Sequence, residues 1–588
     1  MPQKQRKPVK PAGARKDARV TFADGSVYSA PLGTSLEDYF VAAQRALIPP
    51  ARQPGDSDEK TAVAAVCNKE LRELTYPILG DMHVRPVVMS EGDGMRIYRR
   101  SLAFALRVAA YELFPEIKLT VDHALPFGGF YCKVVDGPPL MSKQIDQLKQ
   151  AMQSLVDEDS PISRGAIPLR DAIAMFEKRD DDDKLRLMES RSKDYLVVYA
   201  LRDVQDYFYG YMVPSTGYLT VWDVQPAEGG FLLRYPRRHE PNVLQAEANL
   251  GKIQQVYVQQ AKWLDLMGVE DIGRLNQTIH EDRVRELILV AEALHEGRIA
   301  DVADEIVNRQ PDARLVLIAG PSSSGKTTFS KRLAIQLMAH GLKPFTLGLD
   351  NFFIDREYTP LDEFGEYDFE HLAAIDLDRF NHDLLALLEG KEVRLPRYNF
   401  HTGKREDGEL VRLSPEHVII TEGIHGMNPD LVKELPPGRA FRIYASALTQ
   451  LNIDRYNRVP TTDVRLLRRL VRDATYRGYS AMDTLGRWES VRRGEKAWIF
   501  PFQENADVMF NSALPYELAV LRPLAEPLLR QVDAGTQRYI EAKRLLAFLG
   551  WVRPLEPDLV PDNSILREFT GGSILRDYEP GQHVLRGE

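Results

Sequence analysis

An apolar run, Leu315-Val316-Leu317-Ile318-Ala319, opens directly into Gly320-Pro321-Ser322-Ser323-Ser324-Gly325-Lys326-Thr327-Thr328, and no other feature limits so strongly what this chain can become. The stretch has the spacing G-x-x-x-x-G-K-[ST] between a buried strand and a helix, the context that a phosphate-binding loop requires. Its glycines let backbone N–H groups turn inward around phosphate oxygens, and the helix starting near Lys326 aims its positive end at the same anion. All nine residues, Gly320, Pro321, Ser322, Ser323, Ser324, Gly325, Lys326, Thr327 and Thr328, are therefore assigned to a bound nucleoside triphosphate. Lys326 would reach the β- and γ-phosphates of ATP, and the Thr327 hydroxyl is placed for Mg2+. Phe329, Leu333, Ile335 and Leu337 give the helix apolar positions, and Gly341 follows its last turn.

From Asp301 onward strand and helix patterns alternate, which predicts an α/β domain with a mostly parallel sheet flanked by helices. Phe345–Leu349 reads as the next strand and would set Asp350 at the sheet's C-terminal edge beside the loop. There its carboxylate is placed to take a proton from an acceptor hydroxyl or to hold metal-bound water. Val418-Ile419-Ile420-Thr421-Glu422-Gly423 is a second apolar strand closed by an acid, so Glu422 is a candidate for the Mg2+ shell. Arg465, Arg468, Arg469 and Arg472 share one helix face, with Leu466, Leu467, Leu470 and Val471 turned from it. That face is a candidate lid over a triphosphate, with Arg469 and Arg472 neutralising charge during transfer.

The chain has 588 residues, enough for several domains. Hydrophobic residues make up 44% and charged residues 27%, a globular composition. Lys+Arg number 76 against 85 Asp+Glu, so no global positive field draws the protein to nucleic acid or anionic membrane. Cys67 and Cys132 are the two cysteines, with no histidines at metal-ligand spacing, which argues against a disulfide framework and favours a reducing cytoplasm. No stretch has the length of apolar sequence that a membrane span needs.

The N-terminus carries Lys4, Arg6, Lys7, Lys10, Arg15 and Lys16, read as a solvated tail over residues 1–17. Val20-Thr21-Phe22 and Val27-Tyr28 flank Asp24-Gly25, a hairpin signal. Thr34 and Glu37 have capping-box spacing before Leu36, Tyr39, Phe40 and Ala43, and Ala62–Val66 reads as a strand. A helix is expected over Ser101–Leu113, strands around Phe130–Val135, Tyr195–Leu201 and Tyr218–Val224, and helices either side of Arg274. Asp180–Lys184 reads as a solvated loop. The Pro- and Gly-punctuated end (Pro554, Pro557, Pro561, Gly571, Gly572, Pro580) is expected to wrap over a surface more than build a core.

Residues 312–515 resemble the uridine kinase branch of the P-loop kinases, related to phosphoribulokinase. The matching pieces run in order: Gly320–Thr328, Asp350-Asn351-Phe352-Phe353, Tyr367-Asp368-Phe369-Glu370-His371, Pro396-Arg397-Tyr398-Asn399-Phe400, Glu422-Gly423-Ile424 and Arg465–Gly478. The resemblance implies that Asp350 is the base for a nucleoside 5′-hydroxyl, Glu370 binds the ribose, Tyr398 and Phe400 line the nucleoside pocket, and Arg469, Arg472 and Arg477 contact nucleoside or phosphates. Tyr398 and Phe400 also fit a plain core-aromatic reading. Gly403 stands where the family's base-reading histidine lies and Tyr479 where it has a later arginine, so the acceptor is left open.

The front half resembles threonyl-tRNA synthetase: a TGS-like domain over 18–92, then an editing-like region recognisable by Gly128-Gly129-Phe130-Tyr131 and Val213-Pro214-Ser215-Thr216-Gly217-Tyr218. The editing fold's H-x-x-x-H and C-x-x-x-H positions are Arg100 with Phe104 and Phe208 with Met212, which argues against aminoacyl-ester hydrolysis there. After the basic tail (1–17), the resemblance implies a β-grasp-like TGS domain (18–92), an α+β editing-like domain with a helical connector (93–290) and a P-loop kinase domain (291–545), followed by the Pro- and Gly-punctuated C-terminal extension (546–588). This combination, together with the Asn563–Ser573 ending, is similar to a bacterial nucleoside kinase family.

Two classes of function follow. The first is an ATP- and Mg2+-dependent nucleoside kinase, with Lys326 and the loop amides on the phosphates, Thr327, Glu422 and Asp350 around the metal, and a small-molecule nucleoside-like acceptor. The second is a nucleotide-gated RNA- or ligand-binding regulator, in which the front domains dock on nucleic acid. A phosphoribulokinase-like sugar-phosphate kinase is a variant of the first, which the aromatics Tyr398 and Phe400 suit less well than a base. No membrane partner is expected, the location expected is the cytoplasm, and homo-oligomerisation is left open.

Overall fold

A computed structural model describes residues 15–43, 62–248, 251–362, 365, 367–399, 401–436 and 438–580. Lys4, Arg6, Lys7 and Lys10 of the basic tail, and the pocket candidate Phe400, lie outside the described residues. The chain divides into two compact units, one built from residues 1–172, 193–247 and 534–540, the other from 173–192, 248–533 and 541–588.

The first unit begins with a five-stranded sheet in the order Val27–Pro31, Asp17–Phe22, Met82–Val88, Ala62–Cys67, Glu70–Glu73. Asp17–Phe22 and Met82–Val88 run parallel while the other neighbours are antiparallel, the β-grasp-like arrangement expected of a TGS-like region. The Asp24-Gly25 turn closes the first hairpin with Gly25 at φ +84°, a backbone region that glycine enters without a Cβ penalty. Helix Leu36–Ala42 buries Leu36, Tyr39 and Phe40, and the Phe40 ring meets Phe22 edge-on at 5.3 Å. Its capping box is Ser35 with Asp38, one residue on from the predicted Thr34 and Glu37. Thr34 instead turns its hydroxyl back to the Pro31 carbonyl at 2.8 Å.

Helix Gly92–Leu113 follows, longer than the predicted Ser101–Leu113 and buried along most of its length. Two antiparallel sheets accompany it. One orders Val204–Asp206, Tyr195–Leu201 and Ile162–Pro168, the other Asp223–Ala227, Gly230–Arg234, Phe130–Val134 and Leu119–Ala124. The strand expected over Tyr218–Val224 starts only at Asp223. Tyr218 sits in a short 3-10 turn, drawn from extended pairing because its ring is buried and its hydroxyl donates to Glu37 at 2.7 Å.

The second unit is centred on a five-stranded sheet, all parallel, ordered Lys343–Thr346, His417–Glu422, Leu315–Ala319, Ala440–Ser446, Val508–Asn511. The strand leading into the phosphate loop is central, with strands from later in the chain on both sides, the switch-point position where α/β sheets hold ligands. All its residues are buried, which is why it reads as an uninterrupted apolar run. Helices Gly251–Met267, Ile272–His280 and Val284–Asn308 belong to this same unit.

Two expectations fail here, one because distant partners satisfy charged groups and the other because apolar side chains are buried. Asp180–Lys184 is not a solvated loop, because helix Asp182–Glu189 begins inside it. Lys184 is 1% exposed, its ammonium donating to Asp454 at 3.1 Å, and Asp183 accepts from the Arg455 amide at 2.9 Å. The C-terminal residues also do more than wrap a surface. Ser564, Ile565, Leu566 and Phe569 are fully buried, so the Pro- and Gly-rich stretch carries a real apolar insertion. Among the described residues no helix is long and apolar enough to cross a membrane, and Cys67 and Cys132 are both buried thiols.

Candidate active site

The phosphate loop leaves its strand at Gly320, where an added Cβ would lie 1.9 Å from the Ala445 carbonyl oxygen, so glycine is required for the neighbouring strand to pass. Ser323 (φ +58°) and Gly325 (φ +85°) fold the loop back on itself, and helix Lys326–Ala339 starts immediately. The Lys326 ammonium curls over the loop to donate to the Pro321 carbonyl at 3.3 Å. Burial pulls its pKa down, opposed by the charges of Glu422 and Glu568.

Strand His417–Glu422 ends as predicted, delivering Glu422 to the loop, where Oε1 accepts the Thr327 hydroxyl at 2.9 Å. Its second oxygen is buried without a hydrogen-bond partner, and burial pushes the carboxyl up to about 6 against the pull of Lys326. A hydroxyl and a carboxylate in contact, with one carboxylate oxygen uncommitted, suit Mg2+, which usually takes one or two protein carboxylates plus phosphates and water. Among the described residues no cluster of three His, Cys, Asp or Glu offers a metal site of its own, so the ion would depend on the nucleotide for the rest of its shell.

Asp350 reaches the site by a different local structure from the predicted one. The strand is Lys343–Thr346, and Leu349–Phe352 forms a 3-10 turn. Leu347, Leu349 and Phe352 all point into one apolar cluster under the sheet, so the apolar pattern continues while the strand does not. Gly423 makes this possible, since a Cβ there would fall 2.5 Å from the Leu349 side chain. The turn therefore packs against the end of the Glu422 strand. Asp350 feels the positive charges of Lys326 and Arg477, and its own charge acts on Glu422. Enclosure by protein raises its pKa even though the residue remains open to water.

Glu370 joins the same field. Its carboxyl is pushed up to about 7, first by burial and then by Glu495, against the pull of Arg469 and Lys326. Gly494 gives it room, because a Cβ there would lie 2.6 Å from the Glu370 Cβ. Tyr398 is buried on strand Glu392–Asn399, edge-on to Phe353 at 5.6 Å, and its amide donates to Asn351 Oδ1 at 3.4 Å beside the Asp350 turn. At Gly403 the chain is so close to Arg356 that a Cβ would lie 2.9 Å from its side chain, so arginine stands beside that glycine.

The arginine helix, Thr461–Tyr476, divides its labour in a way that its spacing does not reveal. Arg465 and Arg468 are buried structural groups. Arg465 pairs with Glu495 and donates to the Ser322 carbonyl at 2.9 Å, while Arg468 donates to Glu517 at 2.6 Å and to the Ser512 carbonyl at 2.8 Å. Arg469 donates to the Ser322 hydroxyl at 2.8 Å and Arg472 to Asp473 at 2.9 Å, and Arg477 lies 3.6 Å from the same Asp473. The single charged face is thus two buried braces plus Arg469 and Arg472, which share Asp473 with Arg477 just beyond the helix end. Arg472 and Lys326 repel each other, which fits a shared anion between them.

Two acids at the loop carry no sequence signal. Glu495 accepts the Ser322 amide at 3.1 Å and Glu568 accepts the Thr328 amide at 3.0 Å. Both come from segments far along the chain, visible only once folded.

In the first unit, the positions that match the editing pairs form no polar site. Phe104 and Phe208 are buried with ring centroids 5.2 Å apart, Met212 is buried beside them in sequence, and Arg100 donates to the Tyr211 carbonyl at 2.6 Å. A separate cleft of about 870 Å³ is lined by Glu37, Glu73, Asp159 and Arg164 among others, a lining rich in carboxylates.

Residues 315–518 match the phosphoribulokinase / uridine kinase family. Over its N-terminal part the chain is 27% identical across 214 residues to a threonine–tRNA ligase of Desulforamulus reducens and 29% identical across 214 residues to that of Listeria welshimeri, in both cases 36% of this chain and 32% of the relative. The chain spans about a third of the length of the curated relatives it matches. A solved structure described as a possible uridine kinase from Bacillus stearothermophilus is similar at 22% identity and a TM-score of 0.25, covering 37% of this chain and 98% of that one. Residues 315–518 thus join a P-loop kinase fold to a sequence match with the phosphoribulokinase / uridine kinase family, on a chain whose N-terminal part is similar to part of threonine–tRNA ligases.

Proposed function

We propose that this protein transfers the terminal phosphoryl group of ATP, with Mg2+, to the 5′-hydroxyl of a nucleoside-like acceptor. The observation that carries the reading is the contact of Thr327 with Glu422 beside Lys326, with Asp350 in the same electrostatic field. A metal-bound triphosphate supplies an activated phosphorus and a stabilised leaving group. Lys326 and the loop amides would hold the phosphates, and Thr327 and Glu422 the metal. Asp350, with its pKa raised, is suited to take the acceptor's hydroxyl proton. Glu370 would orient the acceptor's neighbouring hydroxyls, and Arg469, Arg472 and Arg477 would neutralise the oxygens in transit.

Tyr398 beside the Asp350 turn favours a base-bearing acceptor, while Arg356 at Gly403 favours one with an anionic group. A panel of nucleosides, nucleotides and sugar phosphates with Mg2+-ATP, scored by product mass, separates these. A nucleoside monophosphate as product supports the main reading, and a sugar bisphosphate supports the sugar-phosphate variant. ATP binding without product from any acceptor would favour a nucleotide-gated regulator.

A further inference from the structure

We propose that Glu568 is a tethered phosphate mimic, which occupies an anion position of the phosphate loop and must be displaced before a nucleotide binds fully. The inference rests on the nucleotide reading of this loop.

Helix Lys326–Ala339 has Gly325 as its N-terminal cap, and that cap makes no side-chain hydrogen bond. The amides of the first helical turn have no partner within the helix and are the donors that such a helix end offers to anions. The Thr328 amide is already taken, donating to Glu568 Oε2 at 3.0 Å. The Glu568 charge also acts on Lys326 and on Glu422, so this carboxylate stands within the field meant for phosphate.

The segment that carries Glu568 is held firmly. Ile565, Leu566 and Phe569 are fully buried, the Arg468 guanidinium lies over the Phe569 ring at 5.0 Å, and the Ile565 methyl would be 2.4 Å from a Cβ placed on Gly325. Farther on, the Lys331 ammonium, from the same helix, donates to the carbonyls of Leu575 at 2.7 Å and Arg576 at 2.9 Å. The backbone is therefore docked along the phosphate-loop helix from 565 to 576, while the half-buried Glu568 carboxylate meets the loop at the Thr328 amide. That carboxylate satisfies the helix end when no phosphate is present, and a triphosphate brings more charge to the same donors. The two negative groups exclude each other.

The test is calorimetric titration of Mg2+-ATP, and of Mg2+-tripolyphosphate as a base-free probe, into the full chain and into E568Q, E568A and K326A. Removing the competing charge is expected to tighten both ligands by about tenfold in E568Q and E568A, the scale of one charge at a helix end. K326A is expected to lose binding. Unfolding midpoints of E568Q and E568A within a degree or two of the parent show that the gain is local. Equal affinity in parent, E568Q and E568A overturns the inference while leaving the nucleotide site standing, and weaker binding in both overturns it by making Glu568 a helper. Absence of binding in parent, E568Q and E568A alike overturns the nucleotide reading on which it rests.

Discussion

The Thr327 hydroxyl and Glu422 Oε1 are 2.9 Å apart, which links the first turn of the phosphate-loop helix to the tip of the adjacent strand. Two elements separated by about a hundred residues thus present one oxygen each to the same point. Under the proposed function these two oxygens stand together before any ion arrives, which would lower the reorganisation needed for transfer.

Glu422→Gln keeps the hydrogen bond to Thr327 but removes the charge. Turnover at saturating ATP should fall by about 10²- to 10³-fold, and the Mg2+ concentration for half-maximal rate should rise. Initial rates across a Mg2+ series check this. An unchanged Mg2+ dependence would contradict the assignment.

Glu370 gives a pH signature. Burial raises its folded pKa to about 7 from an ordinary value near 4.5. Between those values the folded chain holds a proton that the unfolded chain has released, so this group's contribution to stability falls as pH rises through the window. Glu370→Gln should therefore raise the unfolding midpoint relative to the parent at about pH 8 and leave it unchanged at about pH 4, with acceptor KM rising. Calorimetric scans at both pH values decide, and an equal shift at both would contradict the raised pKa.

The arginines separate by role. Arg468→Gln strips the partner of buried Glu517 and should lower the unfolding free energy by about 3 kcal/mol or more. Arg472→Gln should leave stability within about 0.5 kcal/mol and slow transfer by about 10²-fold. Denaturant titrations beside rate measurements would show the contrast, and equal destabilisation by both would erase it.

Lys184→Met leaves Asp454 buried beside an apolar chain. The Asn457 amide groups still serve Asp454, yet loss of the ion pair should cost about 3 kcal/mol. Urea unfolding measures this, and a neutral outcome would mean that the pair only balances its own desolvation.

Much of this was legible in the sequence where local pattern and long-range role coincide. The run Leu315–Ala319, the loop after it and the Glu422 strand are each set by a few adjacent residues, and they fold as their spacing says. Asp350 comes into the field of Lys326 on a different element from the expected strand, because apolar alternation does not distinguish a strand from a 3-10 turn whose leucines share one cluster. Lys184 reads as solvated and Arg465 and Arg468 read as part of a lid, because a charge run looks the same whether water, a ligand or a distant carboxylate satisfies it. Glu495 and Glu568 were invisible, since the amides they accept lie far from them along the chain.

The central claim is that Asp350 removes the acceptor's proton within a nucleotide site that does not otherwise need it. Single-turnover transfer by Asp350→Asn, measured with the acceptor found by product mass and with Mg2+-ATP affinity recorded in parallel, tests it most directly. The account predicts a rate at least about 10²-fold lower with ATP affinity within about threefold of the parent. Transfer at the parent's rate would contradict it.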